Sequence, residues 1–204
     1  MRVAGLMPLL VVVLALLEPA ALAQGAASKP AGKPPAGKPP ANKQAVPGSP
    51  KALTRANSLA AKGSYSEAIE KYREVEKSEP KNVAAYHMCG RTYALMGDMA
   101  SAIDQYREAL TLTPKNAEML NDLGVALAAN GQYDEAAVEL RKVISVSPKF
   151  VAAYNNLGIA LMRRGSYKDA VDVFQQSLKM QPRNPIVQKK LEECQRRASE
   201  PLPP

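Results

Sequence analysis

Few residues in this chain could do chemistry, and their spacing argues against most of it. His87 is the single histidine of 204 residues; Cys89 lies two positions on, and Cys194 is the second of two cysteines. A zinc centre built from His and Cys alone would need all three. No further ligands are evident around His87, so neither a metal nor any other cofactor is expected. The carboxylate pairs Glu67/Glu70 and Asp134/Glu135 open helical stretches, where negative charge complements the helix dipole without a catalytic role. No G-x-S-x-G elbow or H-E-x-x-H pair occurs, and nothing couples a nucleophile to a base. Gly32-Lys-Pro-Pro-Ala-Gly37-Lys38 copies most of a phosphate-binding loop, but Pro39 stands where the magnesium-holding Ser/Thr belongs. The chain reads as a non-enzyme with no small-molecule substrate.

Charge and composition narrow the partners. The formal net charge is +8, and it is unevenly spread. Residues 24–50 hold four lysines, seven prolines and no acid, whereas residues 51–184 carry 18 basic and 15 acidic groups. A folded duplex-binding face would concentrate its basicity on the globular part. Aromatics make up 5% of the chain and Trp is absent, so base stacking is poorly supplied. No nucleic-acid partner is expected. The tandem AGKPP-AGKPP within residues 24–48 has no apolar periodicity to drive burial, which predicts a disordered, partly polyproline-like linker. Its lysines suit weak contact with an anionic membrane or cell wall.

The first 23 residues have their own pattern. Arg2 precedes the apolar run Leu6–Leu17, Pro19 breaks it, and Ala21-Leu22-Ala23 offers small residues at a cleavage site. The run is shorter than the roughly 20 apolar residues of a membrane span, so a cleaved export signal is expected. Gln24 then becomes the mature N-terminus, and the protein is periplasmic or secreted.

Self-comparison decides the architecture. Pro80, Pro114, Pro148 and Pro182 are spaced by 34 residues, as are Gly63, Gly97, Gly131 and Gly165, and likewise Ala68, Ala102, Ala136 and Ala170. Gly90, Gly124 and Gly158 keep the same period, with Ala56 in the first slot. Each column has a physical reading. In the stretch from Val83, Tyr86, Cys89, Gly90 and Tyr93 share one helical face at about 100° per residue. The small residue lets a partner helix come close, and Gly97 ends the first helix. Asp98, Ser64 and Ser166 occupy the start of each second helix as caps, with Gln132 the exception. Asn82, Asn116 and Asn184 cap the helix after the proline, but Phe150 does not. Nine of the ten aromatics (Tyr65, Tyr133 and Tyr167; Tyr72, Tyr106 and Phe174; Tyr86 and Tyr154; Tyr93) fall in repeating columns, which makes them core. Cys89 shares that core.

This period and its markers resemble the tetratricopeptide repeat family. The resemblance implies an all-α, right-handed solenoid of helical hairpins with four repeats, 49–82, 83–116, 117–150 and 151–184. Asn184-Pro185 then starts a helix over 185–199 whose stripe Val187, Leu191, Cys194 and Ala198 would close the end of the stack; residues 200–204 form a disordered tail. Cys194, if exposed, could pair two chains. Repeat 1 has Ala52 and Arg55 in large-apolar slots, so its first helix is expected to fray.

In the family, the first helices line a concave groove that holds an extended peptide or a helix of a partner. Repeat positions 2, 5, 6, 9, 12 and 13 carry over to Asn57, His87, Arg91, Asn121, Asp122, Val125, Asn155, Asn156, Ile159 and Met162, with Leu53, Met88 and Arg163 beside them. The recurring amides can donate and accept together, which suits a peptide backbone. Leu53, Glu118 and Asp122 stand where a carboxylate-clamping subtype needs basic residues, so that clamp is missing. The expected function is a protein-interaction scaffold or adaptor with a protein or peptide partner, in assembly of a cell-envelope complex. The alternative is a surface tether acting through the basic arm.

Overall fold

The structure, a computed structural model, describes residues 50–200. The expected export signal (1–23), the expected linker (24–48) and residues 201–204 of the expected tail lie outside the described residues. Those described form nine helices and no strand: α1 (Pro50–Ala61), α2 (Tyr65–Ser78), α3 (Val83–Met96), α4 (Met99–Leu112), α5 (Ala117–Ala129), α6 (Tyr133–Val146), α7 (Val151–Arg164), α8 (Tyr167–Met180) and α9 (Pro185–Ser199). Each packs on the next, and α1, α3, α5 and α7 also touch one another in succession. This is the four-repeat solenoid with a terminal helix that the 34-residue period predicts.

The turn inside each hairpin explains its glycine. Gly97 has φ 85°, a left-handed conformation that costs glycine nothing. It lets the Asp98 N–H reach back to the Tyr93 carbonyl at 3.0 Å, a bond repeated from Ser64 to Leu59, Gln132 to Leu127 and Ser166 to Leu161. Helix starts are mixed. Asn82, Asn116, Asn184 and Asp98 accept from the backbone N–H three residues on. Ser64 and Ser166 make no side-chain cap bond, which corrects the expectation for them. The Ser166 hydroxyl instead accepts from Arg164 Nε at 2.9 Å, whereas Asp98 carries two carboxylate oxygens, one for the Ser101 N–H and one for its hydroxyl.

Between the helices of a hairpin, the small residue faces the bulk of its partner. A Cβ on Gly124 would meet Leu140 Cγ at 2.6 Å, one on Gly90 would meet the Tyr106 ring at 2.8 Å, and one on Gly158 would run into Phe174. Tyr72, Leu140 and Phe174 are fully buried. Cys194 is buried as well, so the condition for an intermolecular disulfide is not met.

Repeat 1 departs from the pattern for a reason of position. Cys89, Leu123 and Leu157 are buried in repeats that have a preceding repeat, but α1 has no predecessor among the described residues, and Arg55 in the same slot is exposed. The helix runs unbroken over Pro50–Ala61, against the expected fraying, because Ala56 still packs at 0% exposure.

One half-buried acid sits at the next joint. Glu76 Oε1 is buried without a protein hydrogen-bond partner. Burial pushes its carboxyl above the ordinary glutamate range, an effect the Cys89 thiol and Arg73 only partly offset. The same burial drives the Cys89 thiol upward, so it stays protonated. A carboxyl raised on folding binds its proton more tightly in the native state, so stability falls as pH rises from the unfolded-state value through the folded one. Glu76→Gln is therefore expected to raise the thermal midpoint at pH 7.5 and to change it little at pH 4. Melts of both chains at the two pH values check this; an equal gain at both would remove the carboxyl as the cause.

Candidate functional site

The open face of the first helices is built by the repeat itself. Residues at the fifth and sixth positions stand on α1, α3, α5 and α7 away from the glycine seam, and the stacking offsets them by one. His87 Nε2 lies 2.9 Å from Asp122 Oδ2, 35 residues on. Asn156 Nδ2 donates to Asn121 Oδ1 at 2.9 Å across the same interval. Leu53 and Met88 occupy the corresponding slots one repeat earlier, both half-buried and apolar. The row is thus an inter-repeat ladder whose two hydrogen-bonded rungs are imidazole to carboxylate and amide to amide.

The amides expected to serve a peptide backbone are in part already bonded within the fold. Asn121 pairs with Asn156, Asn155 accepts from the Ser177 hydroxyl, and exposed Asn57 accepts from the Tyr72 hydroxyl at 2.7 Å. The carbonyl oxygens of Asn57, Asn121 and Asn155 are engaged inside the fold, whereas Asn156 takes part through its NH2. The NH2 groups of Asn121 and Asn155 make no hydrogen bond among the described residues.

Beside the ladder runs an apolar lane. Val125, Ile159 and Met162 are half-buried, together with Ala94 and Ala128. Leu95 belongs to it and was missed by sequence reasoning; it is 47% exposed, and only the fold shows that it is uncovered. Arg91 is exposed and lies 4.0 Å from Glu118, a long contact between solvated groups that contributes little.

His87 is only 8% exposed. Its ring tilts at 55° over Tyr106, 5.9 Å between centroids, and burial drives the Tyr106 phenol upward, with the Asp122 charge adding to it. Sequence reading put no ligands near this histidine; the fold brings two. His87, Glu118 and Asp122 each offer a ligand atom, all within 4.8 Å of one another. Their separations of 31 and 35 residues match no local metal motif, but the 34-residue period places them side by side.

Among the described residues no helix is long and apolar enough to cross a membrane. No curated protein matches the sequence. A profile for the tetratricopeptide repeat matches residues 121–185, and one for the TPR repeat matches 56–97 and 90–131. Together they run without a gap over well over half of the chain. Solved structures share the fold at low identity. MamA from Desulfovibrio magneticus RS-1 is 21% identical with a TM-score of 0.69, covering 72% of this chain and 84% of that one. YrrB, described as a TPR protein with an unusual peptide-binding site, is 19% identical at a TM-score of 0.63, over 72% and 79% of the two chains. PilF of Pseudomonas aeruginosa is 20% identical at 0.62, over 72% and 68%. Profile, period and helix packing agree: the chain belongs to the tetratricopeptide repeat family.

Proposed function

We propose that this protein is a non-enzymatic adaptor that holds a peptide or helix of a protein partner on the open face of its first helices. The observation that carries the reading is the pairing of two strips on one face. A ladder with spare amide donors at Asn121 and Asn155 runs beside an apolar lane that leaves Leu95 uncovered. Apolar surface with a few placed polar groups is what recognition of a peptide needs. The peptide-binding site named for YrrB is consistent with this use of the fold. The pattern of residues 1–23 supports export, and hence assembly of an envelope complex; N-terminal sequencing of protein from cells should return Gln24, and an intact Met1 would remove that setting.

The test compares capture from envelope extract by three chains: wild type, Leu95→Glu with Asn121→Ala, and Val138→Glu. Val138 is 50% exposed on α6, away from the open face. Partners should be retained by Val138→Glu and lost, roughly tenfold or more, with the double variant, since about 1.4 kcal/mol is a factor of ten. Equal capture by all three would move the binding surface off the first helices. The basic, acid-free composition of residues 24–48 favours a second reading, a surface tether; deleting that segment should then abolish surface association while adaptor binding survives.

A further inference from the structure

We propose that His87, Glu118 and Asp122 form a site for one divalent transition-metal ion of the zinc class, clipping repeat 2 to repeat 3. Glu118 and Asp122 are four residues apart on α5, so they project from the same side one turn apart. His87 comes from α3 in the preceding repeat, and the three ligand atoms lie within 4.8 Å of one another. The His87 Nε2 to Asp122 Oδ2 distance of 2.9 Å is a hydrogen bond, and the pair has to part by only about 0.5 Å to reach the edge between two ligands on a tetrahedral zinc, about 3.3–3.6 Å for bonds of about 2.0–2.2 Å.

The donor set chooses the ion. One imidazole and two carboxylates suit zinc and its neighbours, whereas magnesium and calcium take oxygen alone. Burial divides the ligands usefully: the side chains of His87 and Asp122 are 10% and 16% exposed, so they are held by packing, while Glu118 at 58% has room to swing in. The His87–Asp122 hydrogen bond accounts for two of the residues without an ion. It does not account for Glu118, a second carboxylate beside Asp122 whose cationic neighbour among the described residues is Arg91 at 4.0 Å. With three protein ligands the fourth position of a tetrahedral ion opens to solvent or to a partner's side chain.

The experiment titrates the untagged full chain, freed of metal with EDTA, with zinc chloride by calorimetry, and tracks thermal melts with and without zinc. One zinc per chain and a raised midpoint are expected, with no effect of equal magnesium. Glu118→Gln, which leaves the core untouched, should weaken zinc about tenfold or more, and Asp122→Asn likewise. Arg91→Ala should tighten it several-fold, because it removes the competing cation; a purely structural ion pair would give no such gain. Absence of bound zinc, or zinc affinity unchanged in both Glu118→Gln and Arg91→Ala, would overturn the proposal.

Discussion

Replacing Gly124 by leucine is expected to lower the stability of the solenoid by about 1–3 kcal/mol or more, the typical cost of overpacking. For a folded part of this size that is a midpoint drop of roughly 2–12 °C. The side chain has nowhere to go. Even its Cβ would stand 2.6 Å from Leu140 Cγ, and Leu140 is fully buried, so the leucine cannot swing into solvent. Helices α5 and α6 must separate instead, and they form the third of the four hairpins, packed on both sides. Because each repeat leans only on its neighbours, the damage should split the melt, with repeats on either side losing their mutual support. The clean check is a double-mutant comparison: Leu140→Ala, harmful by itself, should recover part of the loss when combined with Gly124→Leu. A Gly124→Leu chain that melts like wild type would mean that α5 and α6 do not approach as described.

That contact is legible in the sequence because it is local to one repeat. A glycine eight residues into the first helix and a bulky residue sixteen positions on recur with the period, so Gly90, Gly124 and Gly158 announce the close approach. The left-handed turns at Gly97 and its equivalents are legible for the same reason. What the period hides is the step from one repeat to the next. His87–Asp122 and Asn121–Asn156 both join residues 35 apart, one more than the repeat length. Reading equivalent positions as neighbours pairs Asn121 with Asn155 and leaves His87 alone, which misplaces both the amides and the acid cluster. Arg55 and Ala52 mislead in a related way. A column average treats every repeat as internal, whereas those two stand on a helix with no predecessor among the described residues. The serine caps match a capping pattern in sequence but make no cap bond, while Asp98 behind the same glycine turn does, so the residue type at the slot does not by itself decide the bond. Exposure of Leu95 has no sequence signal; it comes from the area that the neighbouring helices leave uncovered.

Truncation after Asn184 should remove more than one helix. Helix α9 packs on α8 through Val187, Leu191 and Cys194, which are 3%, 7% and 0% exposed. Burying a Val or Leu side chain contributes about 1.5–3 kcal/mol, and losing α9 also strips cover from α8, where Phe174 is fully buried and Val171 partly so. Total folding stability is only about 5–15 kcal/mol for an ordinary domain, so such a loss cannot be absorbed. In a stack of nearest-neighbour units it should fall first on repeat 4 and fade toward repeat 2. Leu191→Asp offers a milder version, placing an unpaired charge where the leucine sits against α8. Hydrogen exchange can read the gradient: amides of α7 and α8 should lose protection by an order of magnitude or more in either variant, while those of α3 and α4 hold. The truncated chain should also self-associate with rising concentration, since the uncovered α8 face is apolar. Protection in α8 equal to that of the intact chain would show that repeat 4 stands without its cap, and α9 would then have to be explained as an appendage with some other task.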